Sequence, residues 1–205
     1  MLLDTLFCLA TTLPAADAAP AVLDQDPRVP PTPALVLPYT YIGVAYEKTS
    51  IDGYSDDPDG LVVDASVALN DTWFAFGSRE ALSGKFGGND VDVNTWRAGI
   101  GLHTSVAEHV DLIVSAGMAF LDADSSAPGS GNDEGLELRA GIRAALGEHG
   151  ELGAGVFYDD WNDNDAQTTV YLQGAYYLES RIGVTAGFSS NDDADAFTVG
   201  VRFVP

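Results

Sequence analysis

The chain has 205 residues, enough for one domain or a small pair, and carries 31 acidic against 9 basic residues, a formal net charge of −22. So acidic a surface repels phosphate, which argues against nucleic acid as a partner and against attachment to anionic lipid by surface charge. The single cysteine, Cys8, excludes an internal disulfide framework.

The N-terminal 38 residues look like an export signal followed by a tether rather than part of a folded domain. Residues 2–13 are mostly apolar, and the small residues Ala16 and Ala18 fit an export-peptidase site. We therefore interpret residues 1–19 as an export signal, an atypical one because no positive charge precedes the apolar run; a disordered tail is the alternative. Residues 20–38 contain six prolines, which disfavour helix and central strand and predict an extended tether.

From residue 39 to the end, apolar residues alternate with polar or small ones in ten segments. A period of two predicts β-strands with two unlike faces. The clearest pair is 110–120 and 136–146, joined by a polar, Gly-rich stretch. Connections after odd-numbered segments are longer and acidic, and those after even-numbered segments are short. This regularity predicts an up-and-down meander with both ends of the domain at the short-turn rim.

The third segment follows a turn that we predict at Asn70-Asp71. We place Phe74 and Phe76 on its apolar face, with Trp73 and Arg79 on the opposite face. Glu80 to Val93 then reads as a long loop before the fourth segment. The acidic stretches 52–60, 122–133, 160–165 and 191–195 read as loops in the same way.

The positions of the glycine and aromatic residues indicate which face of the strands meets water and which meets lipid. The polar face is rich in glycine, which weakens an exposed strand but leaves room inside a narrow barrel. The apolar face carries aromatic residues near strand ends, as at membrane interfaces: Tyr46, Phe74, Trp96, Phe120, Tyr158, Phe188 and Phe203. A Lys or Arg at the midplane of that face would cost about 2–4 kcal/mol, and we assign none there. The apolar face is therefore expected to meet lipid; an exported soluble barrel with an apolar ligand site is the alternative.

These features resemble the small, porin-like outer-membrane β-barrel proteins of Gram-negative bacteria. The resemblance covers residues 39–203, includes a closing strand that ends in an aromatic residue (Phe203), and carries no catalytic motif. Val204 and Pro205 follow that aromatic, a departure from the family pattern. The resemblance implies an all-β, ten-stranded antiparallel up-and-down transmembrane β-barrel over residues 39–205, located in the bacterial outer membrane.

The polar face predicts a network of charges inside the barrel, because buried charges need partners. We expect Arg139 opposite Asp159 in an upper tier, and His103 opposite Asp111 in a lower tier. About ten strands enclose little more than their own side chains, which favours a charge-plugged lumen and a structural or surface-interaction role over the alternative, a narrow ion or small-solute channel. The predicted network is Glu47, Asp64, Arg79, Arg97, His103, Asp111, Glu137, Arg139, Arg143, Asp159 and Arg202.

The sequence gives little sign of catalysis or of a cofactor. All three histidines lie on the short-turn side, away from the rim where substrates of barrel enzymes arrive, so we predict a non-enzymatic protein. We also expect a monomer. The stretch from Asp160 lacks the Gly and Glu of a calcium-binding EF-hand loop. Loop carboxylates could still bind Ca²⁺ or Mg²⁺ weakly and bridge to phosphates of outer-membrane lipid and lipopolysaccharide. These candidates are Asp160, Asp163, Asp165, Asp192, Asp193 and Asp195.

Overall fold

A computed structural model describes residues 35–51, 54–86, 88–126, 131–178 and 181–205. The export signal and residues 20–34 of the tether, like the turn expected at Glu179-Ser180, lie outside the described residues. In these ranges no helix is long and apolar enough to cross a membrane. The strands are β1 (Tyr41–Ile51), β2 (Tyr54–Ala68), β3 (Trp73–Phe86), β4 (Asn89–Ala107), β5 (Val110–Ser125), β6 (Gly131–Leu146), β7 (Gly150–Trp161), β8 (Gln167–Tyr177), β9 (Ile182–Ser190) and β10 (Ala194–Phe203).

The strands form a closed antiparallel barrel. Each strand pairs with its neighbours in the sequence, and β1 pairs with β10 from Ile42↔Phe203 to Ile51↔Ala194. Closure leaves no unpaired sheet edge, which is what a β-structure in hydrocarbon requires. The predicted ten-stranded up-and-down barrel is therefore confirmed. We call the end where β1 starts and β10 finishes the lower end, and the opposite end the upper end.

The outer surface of the wall carries an apolar belt. Aliphatic side chains there are about half exposed, such as Ile100 at 54% and Leu172 at 50%. Exposed aromatic side chains lie toward both ends of the belt: Trp96, Phe120, Tyr158, Phe188 and Phe197 above, and Trp73, Tyr176 and Phe203 below. An apolar band between two aromatic girdles is the surface that a bilayer covers.

The wall is much taller on one side than on the other. β4 has 19 residues and β5 and β6 have 16 each, whereas β9 has 9 and β10 has 10. About 9–11 tilted residues suffice to span a bilayer. Three of the acidic stretches expected to be loops are strand at most of the residues that the structure describes, namely 54–60, 80–86, 89–93, 122–125 and 131–133. A ladder of backbone hydrogen bonds can continue in water whether or not its side chains are charged.

The faces of β3 are the reverse of the sequence expectation. Phe74 is only 8% exposed and points inward, whereas Trp73 is 43% exposed and Arg79 lies on the outer surface. The length of the preceding turn accounts for this. The turn comprises the four residues 69–72 instead of the predicted two, and the backbone N–H of Leu69 donates to the carbonyl of Trp73. A shift of one residue moves every side chain to the other face.

Glycines in β4 provide the space for the inverted aromatics. Phe74 pairs with Gly101, and Phe76 with Gly99. A Cβ on Gly101 would overlap the Phe74 ring, and one on Gly99 would lie 2.7 Å from the Phe76 ring. The expectation that inward glycines leave room for large neighbours thus holds here.

The face of Trp73 can be tested with lipids that carry bromine on their acyl chains, which quench tryptophan fluorescence on contact. A variant that keeps Trp73 as its only tryptophan (Trp96→Phe and Trp161→Phe) should be strongly quenched, because Trp73 is on the lipid face. A variant that keeps only Trp161, which shares the inward face of β7 with Asp159, is the matched control and should stay fluorescent. An unquenched Trp73 would restore the face predicted from the sequence.

Candidate functional site

The lumen is filled unevenly. Long charged and aromatic side chains project into it from β3 to β7, while β8 to β10 contribute small residues such as Ala175, Thr185 and Gly187 beside the long side chains of Tyr171, Tyr177 and Arg202. A cavity of about 320 Å³ lies among them. The lumen is therefore divided into a lower cluster, a cavity and an upper cluster.

A stretch of chain before β1 crosses the lower end of the lumen. The backbone N–H of Leu35 donates to the carbonyl of Gly147 in the β6–β7 turn at 2.9 Å. Five residues later, on the opposite side of the barrel, the side chain of Thr40 accepts a hydrogen bond from the N–H of Ala68 on β2 at 3.0 Å. Residues 35–40, which we call the crossing segment, therefore span the width of the lumen.

Tyr39 anchors the crossing segment among inward-facing side chains. Its hydroxyl donates to Asp111 Oδ2 at 2.9 Å, and its carbonyl accepts from the Ser66 hydroxyl at 2.8 Å. Its ring stacks on His103 with centroids 3.6 Å apart and packs in one buried cluster with Phe74. This aromatic contact fills part of the lumen at the lower end, next to the crossing segment.

Glu151 is the shared acceptor of the lower cluster. Arg143 donates to Glu151 Oε1 through Nε at 2.9 Å and Nη2 at 2.7 Å, and also bonds the carbonyl of Pro38 at 3.1 and 3.2 Å. Arg202 lies 3.3 Å from the same oxygen, and the Tyr177 hydroxyl donates to Glu151 Oε2 at 3.0 Å. Glu151 is 4% exposed, so both guanidinium groups depend on one buried carboxylate.

Arg97 is the centre of the upper cluster. It lies 3.5 Å from Glu80, 3.1 Å from Glu137 and 3.3 Å from Asp159. The contact with Glu137 is ionic rather than a well-aligned hydrogen bond, because Arg97 Nε and Glu137 Oε2 lack a hydrogen-bond partner. Arg139 lies 3.3 Å from the other oxygen of Glu137. Its guanidinium also faces the rings of Phe76, Phe157 and Tyr171 at 5.4–5.9 Å.

The structure brings together most of the predicted charges, but in a different register. Arg139 pairs with Phe157 instead of Asp159, and His103 pairs with Ile113 instead of Asp111. The turns are centred one residue away from the predicted points, which moves each partner by two positions and keeps it on the same face. Hence His103 Nδ1 and Asp111 Oδ2 are still within 3.5 Å.

Among the described residues, three predicted members form no ion pair with either cluster. Arg79 is on the outer surface, which corrects its assignment to the lumen. Glu47 accepts a hydrogen bond from Thr49 at 3.2 Å, and Asp64 lines the cavity. Glu80, Glu151, Tyr39 and Tyr177 are the members that the sequence did not suggest. Inward alternation along β7 could have identified Glu151, two residues before Gly153, but that residue had been assigned to a turn.

The six candidate metal ligands do not converge. Among the described residues no group of three or more His, Cys, Asp or Glu side chains is arranged to hold a metal ion. The upper connections are instead organised by hydrogen bonds. Asp133 accepts from the backbone N–H groups of Glu134 and Asp163 and from the side-chain amide of Asn164. A chelating site for Ca²⁺ or Mg²⁺ is therefore not supported by this arrangement.

Comparison with known proteins gives similarity of fold only. No family model and no curated protein sequence match the chain. Ail of Yersinia pestis is 19% identical over 80% of this chain and 95% of that chain, with a TM-score of 0.39. The KdgM porin is 12% identical over 78% of this chain and 98% of that chain, with a TM-score of 0.43. Neisserial surface protein A (NspA) is 14% identical over 81% of this chain and 96% of that chain, with a TM-score of 0.42. The closed ladder, apolar belt and polar lumen of the chain itself define its class: it is a ten-stranded transmembrane β-barrel.

Substitution of Glu151 tests the lower cluster. Glu151→Gln should lower the free energy of unfolding by about 3–5 kcal/mol, because it leaves Arg143 and Arg202 buried without a carboxylate. Urea titration of the barrel in lipid vesicles measures the change. Glu148→Gln is the matched control, since Glu148 is an exposed turn residue 3.8 Å from His149, and should have little effect. Equal losses in both variants would contradict a shared buried acceptor.

Proposed function

We propose that the protein is a non-enzymatic barrel of the bacterial outer membrane whose lumen is closed by its own chain, and that its role is structural or surface-interacting. The crossing segment is the observation that carries this proposal. It spans the lower end and is fixed there by Arg143, whose guanidinium binds the carbonyl of Pro38. A chain segment bonded on both sides of the lumen is a physical barrier rather than a loose tether.

The energetics of the lumen also favour closure. A hydrated ion that passed the lower cluster would have to displace the Tyr39 ring or separate Glu151 from its two guanidinium groups, which leaves buried charges unpaired. At the upper cluster, Arg97 already has three carboxylates within 3.5 Å. The cavity between the clusters favours the second candidate, a narrow channel, but Tyr39, Arg143 and Glu151 all line it and would form its closed floor.

The charges at the upper end support a surface role. Toward the upper ends of β2, β4 and β5, exposed carboxylates include Asp56, Asp90, Asp92, Asp122 and Asp124. In outer-membrane barrels the longer connections face the exterior and the short turns face the periplasm. The tall acidic strands would therefore project outward, where they would attract partners with basic patches.

The histidines support a non-enzymatic role. Ser105 donates to Asp111 Oδ1 at 2.7 Å, and Asp111 also lies beside His103, so Ser, Asp and His come close together. A serine nucleophile must bond to its histidine base, however, and here the serine bonds to the carboxylate instead. The Tyr39 ring also stacks on the His103 ring.

Conductance across a planar lipid bilayer tests closure. We expect the wild-type barrel to show no stable ion-conducting steps. The full-length double variant Pro38→Gly/Tyr39→Ala should show them, because it loses the ring that fills the lower lumen and loosens the segment that carries it. Tyr46→Ala is the matched control: Tyr46 is an outward tyrosine that bonds Asp59, and its removal should leave the barrel closed.

The outcomes separate the two candidate functions. Stable steps from the wild-type barrel would overturn closure and establish the narrow channel. A double variant that stays closed, although correctly folded, would show that the crossing segment is not the barrier and would remove the main support for the proposal.

A further inference from the structure

Arg79 is a guanidinium on the lipid-facing side of the wall. It projects from β3 between Val63 of β2 and Trp96 of β4, both of which are exposed. The guanidinium carbon lies 4.9 Å from the centre of the Trp96 ring, and Nη2 donates to Asn94 Oδ1 at 3.0 Å. Its hydrogen-bond partner is thus a neutral amide. Among the described residues no carboxylate forms an ion pair with Arg79, so its positive charge is available to an external anion.

The energy of a charge in lipid fixes the level at which Arg79 can lie. An Arg on the outer face costs about 2–4 kcal/mol at the midplane but roughly 0–1 kcal/mol near the interfaces. Trp96 belongs to the upper aromatic girdle, and Asn94 lies two residues further toward the upper end. The guanidinium therefore lies at headgroup level, where lipid phosphates are found. The planar guanidinium can donate two parallel hydrogen bonds to the oxygens of one phosphate.

A groove opens on the other side of Trp96. It has a volume of about 680 Å³ and is lined by the exposed rings of Trp96 and Phe120 and by polar groups that include Asp122, Asn132 and Glu134. The rings offer apolar surfaces, and the carboxylate and amide oxygens can accept hydrogen bonds from hydroxyl groups. Such a lining suits a sugar ring. It would repel a phosphate, which must then lie on the Arg79 side of Trp96.

We propose that Arg79, Trp96 and this groove bind the phosphorylated saccharide headgroup of an outer-leaflet glycolipid. The phosphate would contact Arg79, and the sugar would pack on Trp96 and Phe120 with its hydroxyls donating to Asp122 and Glu134. A lipid is the source because the site lies at the girdle, directly above the apolar belt that would hold the acyl chains. The inference rests on the proposed outer-membrane location but not on closure of the lumen.

Retention of defined lipids tests the site. The folded barrel is mixed in detergent with lipid A (a diphosphorylated disaccharide glycolipid), dephosphorylated lipid A or phosphatidylglycerol, and bound lipid is counted by native mass spectrometry. The wild type should retain lipid A best. Arg79→Gln should retain it about tenfold less, as expected for the loss of one charge-assisted contact. Trp96→Leu should reduce retention of lipid A while leaving retention of phosphatidylglycerol unchanged.

Lys48→Gln is the matched control. Lys48 is also a basic residue at the upper end of the outer surface, but it lies 3.9 Å from Asp57, so its loss should not change lipid A retention. Equal retention by the wild type and Arg79→Gln, or equal binding of dephosphorylated lipid A, would overturn the phosphate contact. Equal binding of phosphatidylglycerol by the wild type would overturn the sugar contact. If EDTA releases lipid A from the wild type, a divalent cation bridges the lipid to the protein, and direct recognition by Arg79 is overturned. None of these outcomes depends on conductance.

Discussion

The ladder that closes β1 against β10 is the constraint on which the rest of the structure depends. Each unsatisfied backbone N–H or C=O in hydrocarbon costs several kcal/mol, so a β-structure in a membrane has to close. Closure turns the two faces of every strand into an inside and an outside. It also places the start of β1 at the lower end, where the preceding residues 35–40 can lie across the lumen.

In the interior that results, one charged side chain forms ion pairs with several partners of opposite charge. Arg97 contacts three carboxylates, and Glu151 accepts from both Arg143 and Arg202. Because each centre serves several partners, removal of one side chain would leave more than one buried charge uncompensated. The crossing segment takes part in the same network through the carbonyl of Pro38, which links closure of the lower end to the packing of the barrel wall.

The outer surface is less uniform than the apolar belt suggests. Arg79 interrupts it beside Trp96, where the belt gives way to the acidic upper strands. The combination of the Arg79 guanidinium, an aromatic girdle and a groove of hydrogen-bond acceptors is concentrated on β3 to β6, on and beside the tall side of the wall. The two proposals therefore concern different parts of one molecule: a closed interior and an outer surface adapted to the lipids around it.

The sequence by itself determined the number of strands, their order and the unlike character of the two faces, because a period of two is a local property that any half-buried strand must show. It also suggested Arg97, Glu137, Arg139 and Asp159 as one group. Only the tertiary structure decided the orientation of β3, where Trp73, Phe74 and Phe76 put aromatics on both faces and the glycines of β4 decide which of them fit inside. It likewise decided the register, since an error of one residue in a turn centre moves partners by two, and the roles of Tyr39 and Glu151, which depend on contacts between residues distant in the chain.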